Sequence, residues 1–184
     1  AFQPTMDNIN RHRETLKKRY APGKNSAAII ASSKELIILA LKSTHLIDRH
    51  RRKMISEALW WITEADGKYS TRFRTKKVVD LAVDKDGNGN GGDIKIQHEH
   101  VHPRSEVSKK LLTNPEAYID NPEALDKVIE QTIGCIVTAE EHRSLKKGKK
   151  GWERYEGVTV YDMKEEKPIE FIRPPSLDTL MKPS

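Results

Sequence analysis

Between Ser32 and Gly67 neither glycine nor proline interrupts the chain, and Leu36, Ala40, Ile47, Met54, Ala58 and Ile62 recur at near-helical spacing. Ser32 with Glu35 has the form of a capping box ahead of this run, and Gly67 is suited to end it. The pattern predicts one long helix or two consecutive ones, with any break near Ser43 and Thr44. Residues 69–83 alternate instead. Arg72, Arg74 and Lys76 against Phe73 and Thr75 would set a row of cations along one side of an extended segment. The Gly- and Asn-rich residues 84–93 read as a flexible hairpin loop. Their opening resembles a calcium loop, but the glycine is misplaced, Lys95 stands where a bidentate glutamate is needed, and the flanks are strand-like. Ile94, Ile96 and Val101 then predict a strand, which Pro103 stops.

Beyond Pro103 the pattern turns helical. Asn114-Pro115 and Asn121-Pro122, each followed by Glu-Ala, repeat one helix-start signal, so two short helices or one broken one should cover about residues 106–131. Residues 133–137 form a compact apolar strand. Thr138 with Glu141 is a second capping box, opening a helix through His142 to about Lys147 before Gly148. Residues 152–155 read as a loop, 158–161 as a strand, 169–172 as a last strand, and a proline-rich tail follows. The polar, basic residues 1–25 form a short helix or an arm. This order is that of an α+β protein, one domain with an added helical layer.

Composition narrows the class. Hydrophobic residues make up 36% and charged residues 33% of the 184, which is globular but very polar. No apolar run approaches the length of a membrane span and the N-terminus does not resemble a signal peptide, so a cytoplasmic protein without a membrane partner is expected. The single cysteine, Cys135, excludes an internal disulfide framework and any Cys-pair zinc knuckle. Charge is unevenly placed: residues 1–77 carry 17 Lys and Arg against 7 Asp and Glu, net +10, while residues 78–184 are net −4. A cationic half points to a phosphate-rich partner, with Arg49, Arg51, Arg52 and Lys53 on the helix and Arg72, Arg74 and Lys76 on the extended segment as the expected contacts. Trp60 and Trp61 are read as packing residues rather than base-stacking platforms.

Candidate chemistry concentrates at the end of the strand before Pro103, where His98, His100 and His102 surround Glu99. Imidazole is both a metal ligand and a base near neutral pH, and the carboxylate offers a hard oxygen to a divalent cation. Adjacent strand residues face opposite ways, so Glu99 and His100 can share a site only where the backbone twists or bulges. His98 or His102 alone is read as a satisfied structural histidine.

The segment Glu99-His100-Val101-His102-Pro103 resembles the acid-His-aliphatic-x-Pro signature of the HNH, or ββα-metal, nucleases. The run from Cys135 to His142 is similar to that family's second strand and metal-ligand helix. The resemblance covers about residues 94–150. It implies a ββα-metal core with an N-terminal helical layer, Glu99 and His142 as ligands of a divalent metal ion, and His100 as the base that activates water. Arg104 would reach a phosphate. Mg²⁺ or Mn²⁺ is the expected ion, with Zn²⁺ and Ni²⁺ as alternatives. Such nucleases carry an asparagine about nine residues before the helix histidine; here that position is Ile133, leaving Gln131 or Thr132 to orient His100 through a side-chain oxygen. The expected organisation is a basic helical region over residues 1–68 and a nuclease region with C-terminal strands over 69–184, packed as one unit. The expected activity is that of a metal-dependent DNA endonuclease of restriction or homing type, with RNA as an alternative substrate and a homodimer compatible with the sequence. Two alternatives stand beside it: a non-catalytic nucleic-acid-binding protein with structural histidines, and a metal-binding structural module.

Overall fold

A computed structural model describes residues 20–81, 87–89 and 92–169 of the chain. The basic residues 1–19, residues 84–86, 90 and 91 of the expected loop, and the expected strand beyond Ile169 lie outside the described residues.

The long helical pattern resolves into two helices, α1 (Ser26–Lys42) and α2 (Asp48–Thr63). The break falls at residues 43–47, where the polar run after Lys42 leaves the chain extended at Ser43. The expected start at Ser32 is corrected. α1 begins about one and a half turns earlier, because the small residues 26–28 continue the helix and Ser32 lies exposed within it rather than capping it. The two helices form a hairpin whose core joins Ile37, Ala40, Leu41, Ile55, Ala58 and Leu59. At the turn, Arg51 satisfies carbonyls that α1 leaves unbonded at its end. Its Nε donates to Ala40 O at 3.0 Å and its Nη2 to Leu41 O at 2.8 Å.

The extended segment after Gly67 is shorter than its alternation predicts. Only β1 (Phe73–Thr75) is strand, and Thr75 then caps a one-turn helix, α3 (Lys76–Val79), by accepting from Val78 N. Val78 and Val79 are both buried, which a strand facing solvent on one side could not achieve. After β2 (Asn88–Gly89) comes β3 (Ile94–His100). Three helices then intervene, α4 (Arg104–Thr113), α5 (Glu116–Ile119) and α6 (Pro122–Ile129). Of the two Asn-Pro signals, Asn121 acts as a cap, its Oδ1 accepting from Ala124 N at 3.1 Å, whereas Asn114 makes no cap bond. The chain returns as β4 (Gly134–Thr138) and passes directly into α7 (Ala139–Ser144), where Thr138 and Glu141 form the expected capping box. A 3₁₀ turn over Gly151–Tyr155 and the strands β5 (Val160–Asp162) and β6 (Lys167–Pro168) follow.

The strands form one mixed sheet in the order β2-β3-β4-β1-β5-β6, in which the β1–β4 pair is parallel and the others antiparallel. β4 is buried along its whole length, as expected of an apolar run covered on both faces. On one face Val101, Cys135, Val137, Leu145, Tyr155 and Val160 pack together; on the other, Ile136 meets Ile96 and Val78. Helices α4 and α6 pack away from this sheet core. Val107, Leu111, Leu125, Val128 and Ile129 complete the core of the α1–α2 hairpin. Among the described residues no helix is long and apolar enough to cross a membrane.

Candidate functional site at the end of strand β3

β3 and β4 pair in unbroken register from Ile96↔Thr138 to His100↔Gly134, so the alternation of side chains holds to the end of the strand. There is no bulge between Glu99 and His100, and the two point to opposite faces. Because β2 pairs only with Ile94 and Lys95, the second half of β3 has a strand neighbour on one side only among the described residues. The bulge that would turn Glu99 and His100 to one side is not present, and the two side chains are neighbours across the sheet rather than on one face.

On the first face Glu99 is mostly buried and each of its oxygens has a partner. Oε2 lies 2.7 Å from His142 Nδ1, and Oε1 accepts from Arg154 Nη2 at 2.9 Å. The capping box fixes where α7 starts, and this sets His142 one turn into the helix above the strand end. A third contact, Thr75 Oγ1 donating to Glu141 Oε2 at 2.7 Å, ties α7 to β1 through a buried carboxylate. Arg154, from the 3₁₀ turn, also donates through Nη1 to His100 O at 2.9 Å, bridging the two residues at the strand end. Beneath the pair, Cys135 and Tyr155 are fully buried, and burial pushes the thiol and the phenol far above their ordinary values.

On the second face His98 and His100 stand side by side against Trp60 of α2, with ring centroids 5.7 and 5.0 Å from the indole. His98 Nδ1 donates to Lys68 O at 2.7 Å. His100 Nε2 lies 3.3 Å from Thr63 Oγ1, the last residue of α2, whose hydroxyl donates to Trp60 O at 2.7 Å. Burial, with His98 and Arg104 nearby, holds the His100 imidazole down to about 4, so the ring is neutral at pH 7. His98 is likewise lowered by burial.

The sequence-derived residues thus divide. Glu99 and His142 are brought into direct contact, and His100 is their neighbour on the opposite face. Gln131 and Thr132 do not bond His100; Gln131 is exposed, the Thr132 hydroxyl is buried without a protein partner, and Thr63 is what meets the ring. Arg104 is held against α2, donating to Ser56 O at 3.0 Å with its guanidinium 4.7 Å from the Trp60 ring centroid. The expected row of cations on residues 72–76 does not form. Arg72 chelates Asp162 at 2.7 and 2.6 Å, Arg74 is buried and donates to Thr71 O, and Lys76 pairs with Asp80. The basic run on α2 divides too. Arg51 is committed to α1, while Arg49, His50, Arg52, Lys53 and Ser56 line a shallow groove along the helix. Arg49 and Arg52 are exposed and make no ion pair among the described residues, and Lys53 pairs with Glu57 at the surface. Ser56 O and Trp60 connect this groove through Arg104 to His100.

Sequence reading missed Thr63 and Arg154. Arg154 falls in a stretch without a helix or strand pattern. Thr63 has no signal besides being a polar residue in an apolar last turn.

As a divalent-metal site the pair can be tested on its geometry. Two donors each about 2.1 Å from one ion and at right angles stand about 3 Å apart. Glu99 Oε2 and His142 Nδ1 stand 2.7 Å apart, a hydrogen-bond distance at which the ring nitrogen donates to the carboxylate, and a few tenths of an ångström short of that separation. Among the described residues no group of three or more His, Cys, Asp or Glu side chains is arranged around a common point. Compared with protein-family models, curated proteins and solved structures, the chain matches none.

Proposed function

We propose that the protein is a divalent-metal-dependent hydrolase of nucleic-acid phosphodiesters, with DNA as its expected substrate. In this reading β3, β4 and α7 are a ββα-metal core. The observation that carries it is the contact of Glu99 with His142 at the end of a strand that also bears a neutral, buried histidine, His100. Glu99 and His142 would hold the ion, which supplies Lewis acidity and charge neutralisation at a phosphate when bound. His100 accepts the proton of an attacking water on its free ring nitrogen. Arg154 keeps the Glu99 carboxylate in place and brings a guanidinium beside the strand end, where negative charge develops. The groove of Arg49, Arg52 and Lys53 provides phosphate contacts that carry no sequence information.

Packing of His98 and His100 against Trp60 favours a second reading, a non-catalytic nucleic-acid-binding protein with structural histidines. Supercoiled plasmid incubated with Mg²⁺ or Mn²⁺ separates the two. The hydrolase nicks or linearises it, EDTA stops the reaction, and Glu99→Ala and His142→Ala each lose about a hundredfold or more in rate. Plasmid that is bound but left intact under every metal condition would establish the second reading instead.

A further inference from the structure

We infer that Thr63, at the end of α2, is the positioning residue that fixes the tautomer of His100, an inference that rests on the hydrolase reading. Thr63 Oγ1 stands 2.7 Å from Trp60 O and 3.3 Å from His100 Nε2. A carbonyl has no proton to give, so the one hydroxyl hydrogen points at Trp60 and a lone pair faces the imidazole. Nε2 must therefore carry the ring proton. In the neutral ring Nδ1 is then bare, and it has no other hydrogen-bond partner among the described residues.

His98 is fixed the opposite way. Its Nδ1 faces Lys68 O at 2.7 Å and must donate, which leaves Nε2 bare, and that atom is buried without a partner. Gly134 accommodates it, since a Cβ there would lie 2.7 Å from His98 Nε2. Two histidines two positions apart on one face thus hold their protons on different nitrogens, and of the two bare nitrogens the one on His98 is sealed. The base is His100, selected by a hydroxyl from the helical layer.

Thr63 is suited to this task because its hydroxyl is anchored one turn back within its own helix and the residue is buried. Replacing it by valine keeps the shape and removes the acceptor. Trp60 O keeps a partner, since Glu64 N also donates to it at 3.1 Å.

The test is histidine ¹⁵N NMR of the metal-free full chain at neutral pH, together with plasmid cleavage by the metal-loaded protein. In the wild type, His100 is expected as the Nε2–H form and His98 as the Nδ1–H form. Thr63→Val should leave the His98 signals in place, move His100 to a mixture of tautomers, and lower the cleavage rate about tenfold or more. Thr63→Ser should restore both. A wild-type His100 in the Nδ1–H form, or a folded Thr63→Val with an unchanged His100 spectrum, overturns the inference whatever the enzyme does. The expected spectra in a wild type that never cuts would overturn the hydrolase reading, and with it the catalytic meaning of Thr63, while leaving the proton assignment intact.

Discussion

Gly134 has an ordinary extended backbone, yet a neighbour forbids a side chain there. A Cβ would meet His98 Cε1 and Nε2 at 2.7 Å and Thr63 O at 3.3 Å. Gly134→Ala must push the His98 ring off its bond to Lys68, and the expected cost is about 1–3 kcal/mol, read as a lower urea midpoint. Glu141 shows the complementary case of a carboxylate that holds structure together. Its Oε2 accepts from Thr75 Oγ1, Thr138 N and Thr138 Oγ1, all within 3.2 Å. Glu141→Ala should destabilise the fold by about 1–3 kcal/mol, because it removes a cap and strands buried donors. It should also blunt any function that depends on His142, which the same turn of helix positions. The start of α7 is legible in the sequence from Thr138 and Glu141, whereas the meeting of Glu99 with His142 is expected only from the family resemblance. Thr63 and Arg154 are not legible, since each reaches its partner through tertiary packing from elements far away along the chain.

At the scale of elements, α2 carries a basic run whose members look alike in sequence and differ in their surroundings. Arg51 serves the hairpin by bonding Ala40 O and Leu41 O, while Arg49 and Arg52 face the groove. Arg51→Ala should therefore cost about 1–3 kcal/mol of stability and leave the salt dependence of nucleic-acid binding unchanged. Arg49→Ala and Arg52→Ala should be nearly neutral for stability and each lower the salt slope of binding by about 0.9. Fluorescence anisotropy with a labelled duplex over a salt series measures the binding, and urea unfolding the stability. The sequence announced the charge of this helix but could not apportion it, because which arginine meets α1 depends on where the hairpin breaks and how its arms align. Similarly, residues 72–76 alternate as a strand would, but Asp162 takes up Arg72, Asp80 takes up Lys76 and Arg74 is buried, so no row of cations faces solvent. The apolar strand β4, the Asn121 cap and the break between the two N-terminal helices follow from local rules and appear where the sequence puts them, to within a few residues, whereas the first helix begins well before Ser32.

At the scale of the whole molecule, Arg72, just before β1, and Asp162, at the end of β5, are distant in sequence and tie the inner β1–β5 pair together. Burial alone would raise the Asp162 carboxyl. The hydrogen bonds and charge of Arg72, with the backbone N–H groups of Glu165 and Lys164, outweigh it and hold the group below its ordinary 3.8. The unfolded chain takes up this proton near 3.8 and the folded chain only at lower pH, so within that window the unfolded state binds more protons. The stabilisation is present above the window and is lost as pH falls through the folded value. Urea unfolding at about pH 5 and about pH 3 should show a steeper acid loss for the wild type than for Asp162→Asn, which lacks the group.

The division of the core carries a consequence for biosynthesis. The α1–α2 hairpin shares its apolar interior with α4 and α6, and these lie in the excursion between the paired strands β3 and β4. A growing chain therefore releases the hairpin with Ile37, Leu41, Ile55 and Leu59 open on one side, and their core is not complete until residue 129 has left the ribosome. At about 5–20 residues per second this interval lasts roughly 3–13 s. During that time the nascent chain displays an amphipathic helical pair beside a strongly cationic groove, which is the kind of surface holding chaperones bind. α4 covers part of the pair first and α6 completes the core, and β4, synthesised next, then joins β3 beside that helical layer.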